Sequence, residues 1–567
     1  MPSADGRIQV VFNGEIYNWR ELRAELEAEG RPFASQSDTE VIVAGYESWG
    51  MDLIPRLRGM FSLAIWDARE TRLVLARDRL GEKPLFYFPH ADGLTFASTL
   101  GALTASGDLP KIDPDALACY LAHSFIPATH TVWQGIHVLP PAHALTITPR
   151  APARVSRYWD FPNARPRHVR IRDCINSTES VITDSVERCL DADVSVGVFL
   201  SGGVDSSLIA ALATRIRPTL PAFSLGFAES DFSELEYARR VAKHLRVPHH
   251  EVLVTARDLM ECLPHLVLQY GQPFGDASAV PSYLVARLAR KNVTVCLSGD
   301  GGDESFGGYW RIQAGVYAER YRSMVPGFIR RHLVPRAARL LGSPGRRLAA
   351  MNQLASAPAG TGYTNSESWL ELLGQISEAR LLPGLRHDMA ACRTGRGRAG
   401  EDASTVQRLL AGDFEVQLPD DFLTKVDVAS MAASLEVRAP FLDQKVVEHA
   451  WTLPDSVKLH WGDRKWLLKQ IAARWVPRDV IFRRKMGFAL PLIHWWRGEL
   501  GDWLRMLMAD SAAVRHGWIS RQPVLDALDR HLSGENHHTR LWLVLWLELW
   551  FRLVIERTAA SDLPRTG

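Results

Sequence analysis

The residues with the clearest chemical potential form a glycine-rich loop, Ser-Gly-Gly-Val-Asp-Ser-Ser, at positions 201–207. An apolar run at 194–200 precedes the loop and is typical of a strand buried on both faces, and a helix is predicted from about Leu208. Backbone N–H groups at such a helix start bind phosphate oxygens. The loop lacks the Gly-Lys-Ser/Thr ending of a Walker loop, and Asp205 stands beside it, where it could hold Mg²⁺. A plain turn with serine and aspartate caps is the alternative.

A second loop rich in glycine and acid, Leu-Ser-Gly-Asp-Gly-Gly-Asp-Glu at 297–304, also follows a predicted strand. Ligands of a doubly wound sheet gather at the carboxyl ends of its strands, so both loops are predicted to face one crevice. Asp205 and Asp303 would then share a Mg²⁺ ion that bridges the phosphates of a nucleotide. Acidic residues beside glycines are also common in ordinary turns, and that alternative remains for this segment taken alone.

The elements around these loops alternate between strand and helix. After an amphipathic helix at 172–190, strands are predicted at 194–200, 222–227, 251–254 and 293–297. This alternation predicts a doubly wound parallel sheet. The remainder of the chain, from about 310 to 560, is predicted to be mostly helical, so the second domain is placed at 171–560.

The first 150 residues have a different pattern. A strand at 8–12 is followed by a predicted Asn13-Gly14 turn, and helices are predicted at 19–29 and 37–49. Short strands follow at 60–66, 72–77, 85–88 and 94–97. Two helices and a set of short strands predict a layered α+β domain at 1–150. The Pro- and Arg-rich residues 151–170 are assigned to a linker.

The composition excludes several classes of partner. There are 66 Lys and Arg residues against 64 Asp and Glu residues, a net charge of +2, which gives no reason to expect nucleic acid or a membrane surface. Six cysteines without a close Cys-x-x-Cys pair argue against a disulfide framework, and free thiols suit a cytoplasmic protein. The most apolar run, 541–547, is followed by Glu548 and is predicted to be a helix buried in protein.

Several motifs resemble the class B, glutamine-hydrolysing asparagine synthetase family. The two loops at 201–207 and 297–304 resemble its ATP-pyrophosphatase domain, and so do LTKVDVASMAASLEVRAPFLD (423–443), GDRKWLLK (462–469) and RRKMGF (483–488). NGEIYN (13–18) and SDTEVI (37–42) resemble its glutaminase domain. The resemblance implies a truncated Ntn-type glutaminase-like sandwich followed by the doubly wound domain. It also implies ATP and Mg²⁺ as cofactors, small-molecule substrates, and a homodimer as one oligomeric option.

The resemblance also implies roles for individual residues of the second domain. The expected ATP contacts are Leu200, Ser201, Gly202, Gly203, Asp205, Ser206, Leu225, Ser298 and Gly299. Asp205 and Asp303 take the magnesium roles, and Asp300 influences formation of an acyl-adenylate. Lys485 stabilises charge on the reacting phosphoryl group, with Lys465 as a second cation. Judged from the residues alone, a surface lysine at an Arg-rich helix end is the better explanation of Lys485.

The glutaminase side of the resemblance is incomplete. Asn13 and Gly14 match an oxyanion-hole segment, and Glu15 and Asp38 match residues that hold glutamine, although a turn and a helix cap would explain the same types. The family's nucleophile is an amino-terminal cysteine, whereas residue 2 here is Pro2. An incomplete gene model with an internal methionine start is the explanation we favour. The other explanation is a chain that has lost glutaminase activity and uses free ammonia or another amine.

The expected reaction is ATP-dependent amide formation on a carboxylate, most simply aspartate, with release of AMP and pyrophosphate. Two alternatives stay open. Relatives with this architecture close β-lactam rings or cyclise peptides with an internal amine, and nothing in the acceptor-pocket residues excludes that reaction. The second alternative is a non-catalytic nucleotide-binding scaffold, against which the presence of Asp205, Asp303 and Lys485 counts.

Overall fold

The computed structural model describes residues 1–90, 93–105, 109–128, 130–149, 151–162, 170–340, 403–484 and 490–564. An amino-terminal α+β domain precedes a larger α/β domain, which confirms the predicted fold class. The strands of the first domain are β1 Ile8–Ile16, β2 Gly59–Asp67, β3 Arg72–Arg77, β4 Phe86–His90, β5 Gly93–Ala97, β6 His137–Val138, β7 His143–Thr148 and β8 Ala151–Arg157. Its helices are α1 Trp19–Ala28, α2 Asp38–Trp49, α3 Leu100–Thr104 and α4 Pro114–His123.

The first domain is a sandwich of two sheets with helices on one outer face. An antiparallel sheet of order β1-β2-β3-β7-β8 packs through Ala64, Leu75 and Leu145 against a smaller sheet of order β5-β4-β6. Helices α1 and α2 cover its other face, where apolar side chains of β1, β2 and β3 are buried. The Ser37 hydroxyl accepts a hydrogen bond from the Thr39 N–H at 3.2 Å and so caps α2, as its position before the helix predicts.

Two features of the first domain differ from the sequence interpretation. The turn predicted at Asn13-Gly14 is wrong, because both residues continue β1 and pair with Ser62 and Phe61 of the long partner strand β2. Residues 151–157, assigned to the linker, form β8 and pair antiparallel with β7. Pro152 hides this strand in the sequence, but an edge strand tolerates proline because one side of it donates no ladder hydrogen bond.

The second domain is built on a parallel sheet of order β11-β10-β9-β12-β13. Its strands are β9 Val196–Phe199, β10 Ala222–Phe227, β11 His249–Val254, β12 Val295–Leu297 and β13 Glu436–Arg438. Helices cover both faces, as expected of a doubly wound sheet. The sequence pattern located four of these strands and missed β13, which has three residues and only one apolar side chain, too few to give a periodic signal.

The rest of the second domain is largely helical. Before β13 the helices are α5 Ile171–Leu190, α6 Val204–Ile216, α7 Leu235–Leu245, α8 Ala256–Tyr270, α9 Ala279–Arg290, α10 Gly302–Phe306, α11 Trp310–Met324, α12 Val334–Leu340, α13 Thr405–Gly412 and α14 Thr424–Ala432, with a π-helical segment at Asp413–Leu423. After it come α15 Gln444–Thr452, α16 Asp455–Lys458, the hairpin of β14 Leu459–His460 and β15 Asp463–Arg464, α17 Trp466–Ala472, α18 Arg478–Ile481, α19 Leu492–Trp495, α20 Glu499–Ala509, α21 Ala512–Arg515, α22 Arg521–Leu532 and α23 His538–Trp550.

The apolar run at 541–547 lies in α23, where Trp542, Trp546 and Trp550 are buried in the largest core, as predicted. Across the part of the chain that the structure describes, no helix is both long and apolar enough to cross a membrane.

Ion pairs, two of them buried, join the two domains. Arg58 of the first domain binds Asp443 at 2.6 Å and Asp184 at 2.8 Å. Lys83 Nζ lies 2.7 Å from Asp427 on α14, and both side chains are largely buried. Because a buried charge is costly without its partner, these pairs fix the orientation of one domain on the other.

Candidate functional site

The first predicted phosphate loop connects β9 to α6. Gly202 has a φ of +72°, and a Cβ there would lie 2.6 Å from the backbone nitrogen of Ala238, so glycine is required by both conformation and space. The hydroxyls of Ser201 and Ser206 lie 2.9 Å apart, and the Gly203 N–H donates to the Ser201 hydroxyl at 3.2 Å. Helix α6 begins at Val204, four residues before the predicted start, which brings Asp205 into its first turn.

The second loop, between β12 and α10, touches the first. A Cβ at Gly299 would lie 2.9 Å from the backbone nitrogen of Ser206 and 3.0 Å from the Asp205 Cβ. The Ser298 N–H donates to the carbonyl oxygen of Arg438 at 2.9 Å, which aligns the loop with β13. The structure therefore brings both predicted loops to the carboxyl edge of one sheet.

The carboxylates of Asp205 and Asp303 both contact the same ammonium group, that of Lys465. Lys465 Nζ donates to Asp205 Oδ2 and lies 2.7 Å from Asp303 Oδ1. Burial opposes the charge on Lys465, but Asp205 and Asp303 outweigh it and raise the pKa of the lysine above its usual value. Lys465 also has a left-handed backbone, with φ of 54°, at the N-cap of α17. Such strain in a residue other than glycine clusters at functional sites.

An open cleft of about 70 Å³ lies beside the first loop. Leu200 and Leu225, both predicted nucleotide contacts, line it together with Ser201, Ser224 and several phenylalanines. The Ser224 hydroxyl bonds to the Leu200 carbonyl oxygen and to His249 Nε2, which holds the strand ends in place. An apolar wall with a few polar groups suits a nucleotide base.

Asp300 lies in the second loop, and its N–H donates to the Ser298 hydroxyl at 3.4 Å. Together with Asp276 and Asp421, it helps to raise the pKa of Lys425 at the start of α14, although burial opposes the charge. The sequence interpretation gave Lys425 no role, although it lies in the conspicuous segment 423–443. Lys425 Nζ lies 3.1 Å from Asp276 Oδ2. The predicted catalytic Lys485 lies outside the described residues.

The predicted glutamine-side residues gather at the end of β1. The Asn13 side-chain amide donates to the Ser98 hydroxyl at 3.2 Å, and Asp38 Oδ2 accepts the Ile16 N–H at 3.1 Å. Gly14 and Glu15 lie between them in the same strand. Burial raises the pKa of Asp38, and it raises the pKa of Glu15 to about 7 although a nearby arginine opposes that rise.

That arginine is Arg438 of β13, in the other domain, and the sequence interpretation gave it no role. Its guanidinium lies 2.9 Å from Glu15 and 2.6 Å from Glu436, and it donates to the carbonyl oxygens of Cys189 and Asp191. Because its own carbonyl oxygen accepts the Ser298 N–H, one residue contacts both the glutamine-side residues and the nucleotide loop. In the sequence, Arg438 simply follows Val437 in a short edge strand, and this pattern gives no indication of a contact with the other domain.

A metal would need ligands beyond this chain. The residues that the structure describes contain no group of three or more His, Cys, Asp or Glu side chains arranged to hold an ion. Asp205 and Asp303 supply two hard oxygen donors at one point, and Mg²⁺ commonly binds one or two carboxylates together with substrate phosphates. The donor set therefore fits Mg²⁺ in the presence of a nucleotide.

Comparison with known families and proteins gives consistent results over the whole chain. The family "Asparagine synthase" matches residues 177–552, and "Glutamine amidotransferase domain" matches residues 1–159. The chain is 33% identical over 551 residues to "Asparagine synthetase [glutamine-hydrolyzing] 1" of Bacillus subtilis, covering 97% of this chain and 86% of that protein. It is 36% identical over 575 residues to "Putative asparagine synthetase [glutamine-hydrolyzing]" of Mycobacterium bovis, covering 99% and 87%. A more distant relative is "Amidase chry2" of Gibberella zeae, 26% identical over 569 residues and covering 92% and 83%.

Proposed function

Because this chain belongs to the asparagine synthetase family, whose members are carbon–nitrogen ligases, we propose that it converts aspartate to asparagine. The aspartate side-chain carboxylate attacks the α-phosphorus of ATP, forming an acyl-adenylate and releasing pyrophosphate. Ammonia then displaces AMP to give the amide. The observation that supports this proposal most strongly is that the carboxylates of Asp205 and Asp303 both contact the Lys465 ammonium group. This contact lies beside a glycine loop at the edge of a parallel sheet.

The residues of the site match the charges that this reaction develops. Backbone N–H groups from Ser201 to Ser206 bind phosphate oxygens, aided by the dipole of α6. The Lys465 ammonium stays charged at neutral pH because its raised pKa favours the protonated form, and it offsets negative charge on the phosphates. Asp300 is assigned an influence on formation of the acyl-adenylate, and Lys485 is assigned the role of stabilising the reacting phosphoryl group.

Asp205 and Asp303 hold Mg²⁺ in this proposal. When bound, Mg²⁺ supplies positive charge that neutralises the departing pyrophosphate. The two carboxylates otherwise share Lys465, so that each keeps a cationic partner. A buried carboxylate without such a partner would cost several kcal/mol.

In this proposal the chain, which has Pro2 in place of the cysteine nucleophile, uses free ammonia, and a form that carries the cysteine takes ammonia from glutamine in the first domain. Asn13, Gly14, Glu15 and Asp38 form the glutamine-binding side. A small cavity of about 10 Å³, enough for roughly one water-sized molecule, lies between the domains, and Tyr17, Gly59 and Glu82 line it on one side and Leu442 and Asp443 on the other. Gly59 pairs with Ile16 at the end of β1, and Leu442 lies against Gly301 of the second loop, so the cavity lies between the two sides and suits a molecule as small as ammonia.

The test is release of AMP and pyrophosphate by the purified chain with ATP, Mg²⁺, ammonia and aspartate. We expect AMP and asparagine in equal amounts, and asparagine identified by mass spectrometry. AMP formation that is indifferent to aspartate would redirect the proposal to an internal-amine ligase of the same family. No AMP with any carboxylate would overturn it in favour of a nucleotide-binding scaffold.

A cytoplasmic homodimer completes the proposal, and sedimentation equilibrium tests the oligomeric state.

A further inference from the structure

One segment of the second domain combines a high positive charge with exposed apolar side chains. We refer to residues 310–337, from the start of α11 into α12, as the basic segment. Its formal net charge is +5, whereas that of the whole chain is +2, because a single acid, Glu319, stands against six arginines: Arg311, Arg320, Arg322, Arg330, Arg331 and Arg336. The near-neutral balance of the whole chain therefore hides a strongly basic surface.

Apolar side chains of the basic segment project into solvent. In α11, Trp310, Tyr317 and Met324 are 49%, 42% and 73% exposed. Their seven-residue spacing is close to two helical turns, so they lie along one face of the helix. Farther along, Phe328 is 61% and Leu333 is 52% exposed, and their five-residue spacing matches one turn of the π-helical segment that joins them. Large apolar groups that are exposed together mark an interaction surface.

A further aromatic side chain extends this surface beside Tyr317. Trp461, in the turn of the β14–β15 hairpin, is 95% exposed. The Gln313 side-chain amide donates to the Gly462 carbonyl oxygen at 2.9 Å and to the Tyr317 hydroxyl at 3.3 Å. These two hydrogen bonds hold the turn of the hairpin against α11. The exposed aromatic surface is thus assembled from two segments that are far apart in the chain.

The arginines of the basic segment differ in their partners. Arg311 pairs with Asp413 at 2.9 Å, and Arg322 pairs with Glu319 at 3.0 Å. Other arginines are exposed, and no acidic side chain among the described residues forms an ion pair with them: Arg320, Arg331 and Arg336. These guanidinium groups are therefore available to anionic groups outside the chain, and guanidinium geometry suits phosphate oxygens.

We propose that the basic segment and Trp461 form a docking surface for a membrane that contains anionic phospholipids. Projecting apolar side chains enter the boundary between headgroups and acyl chains, and the exposed arginines contact lipid phosphates. Tryptophan and tyrosine favour the level of the headgroups. A lipid surface admits projecting side chains directly, whereas a protein partner would have to supply a shaped pocket for each of them. The inference is independent of the proposed function, because it concerns a surface outside the nucleotide and glutamine sides.

Sedimentation with vesicles tests the inference. The full chain is mixed with vesicles of phosphatidylcholine alone or of phosphatidylcholine with about 30% phosphatidylglycerol. We expect binding to the anionic vesicles to be at least about tenfold tighter than binding to the neutral ones, and about 0.5 M NaCl should weaken it. The combined variant Met324→Ser and Phe328→Ser should lose about tenfold or more in affinity, because two projecting apolar groups are removed. Arg331→Glu combined with Arg336→Glu should lose at least as much.

Leu268→Ser combined with Leu532→Ser is the matched control. These leucines are 45% and 46% exposed on α8 and α22, outside the basic segment. The control variant should bind anionic vesicles as tightly as the parent does. Absence of binding, equal affinity for the two kinds of vesicle, or an equal loss in the control would overturn the inference. If the chain binds no vesicles and Met324→Ser with Phe328→Ser instead dissociates an oligomer, the surface is an interface between copies and the lipid assignment is wrong.

Discussion

The nucleotide side and the glutamine side of this molecule hold their acidic residues in opposite ways. Asp205 and Asp303 belong to loops of one sheet, and their shared cation Lys465 comes from the same domain. Glu15 and Asp38 lie in the other domain, and the guanidinium that faces Glu15 comes from β13 across the interface. The acids of the nucleotide side share a cation from their own domain, whereas the glutamine side depends on a cation from the other domain. Substitutions at the two places should therefore have separable consequences.

The largest expected effect is the loss of adenylation in Asp205→Asn. The amide keeps the shape of the side chain but removes the negative charge that faces Lys465 and Mg²⁺, so AMP formation should fall by about 10³-fold. Asp463→Asn is the control, because Asp463 pairs with the nearby Lys469 outside the loops. AMP release should stay within about twofold of the parent in that variant. Activity in Asp205→Asn above a tenth of the parent would contradict the assignment.

Removal of the shared cation should expose the repulsion between the two carboxylates. Lys465→Met is expected to lose about 3–5 kcal/mol of unfolding free energy without divalent ions, because two partly buried carboxylates lose the buried ammonium group that they share and repel each other. Mg²⁺ should then raise the melting temperature of this variant more than that of the parent, since it replaces the missing charge. The exposed Lys445→Met serves as a control with no such response. An equal rise in melting temperature with Mg²⁺ for the parent and for Lys465→Met would contradict the proposal that Asp205 and Asp303 share a Mg²⁺ site.

Arg438→Met should damage the glutamine side and spare the nucleotide side. It leaves Glu15 and Glu436 without their buried guanidinium, and we expect a loss of about 2–4 kcal/mol in urea unfolding together with weaker glutamine binding. AMP formation from free ammonia should persist, because the hydrogen bond to Ser298 uses the backbone carbonyl oxygen of residue 438. Arg438→Lys should recover only part of the loss, since lysine cannot reproduce the forked contacts. Equal damage to both activities would show that the two sides are not separable.

The smallest effect is the pH dependence that Glu15 contributes. Burial raises the pKa of Glu15 from 4.5 to about 7, against the pull of Arg438. Between those values the folded protein retains a proton that the unfolded chain releases, so this contribution is fully present below pH 4.5 and is lost as the pH rises through about 7. In Glu15→Gln the fall in unfolding free energy between these limits should shrink by about 2 kcal/mol, measured by urea titration across the range. Glu27→Gln on the surface of α1 should leave the slope unchanged.

The sequence correctly predicts those features that depend on residues close together in the chain. The glycine loop at 201–207 lies between strand and helix as its residue types require, and the acidic loop at 297–304 reaches the same edge because both follow parallel strands. Asn13-Gly14 shows the limit of local rules, because a dipeptide that favours turns is overruled by pairing with the long strand β2. The short strand β13 has no periodic signal, since its identity depends entirely on its neighbour β12.

The residues without a sequence-based role are those whose partners lie far along the chain. Arg438 contacts Glu15, which lies 423 positions away in the sequence, and Lys83 contacts Asp427, which lies 344 positions away. Charged residues of this kind look like solvated surface in the sequence, because nothing nearby identifies the opposite charge. The roles of Asp300, Lys465 and Lys485 rest on the family resemblance and stay predictions, with Lys485 outside the described residues.

The stretch from α14 through β13 carries three of these long-range attachments within fifteen positions, through Lys425, Asp427 and Arg438. For protein engineering this means that the amino-terminal domain cannot be exchanged at its sequence boundary alone, because residues beyond that boundary hold its buried charges. A chimera that exchanges only residues 1–159 would leave behind the acid for Lys83 and the guanidinium for Glu15. A functional graft must carry residues 424–443, which also supply the buried Asp443 for Arg58, along with the foreign amino-terminal domain, although residues 160–423 separate the two segments in the chain.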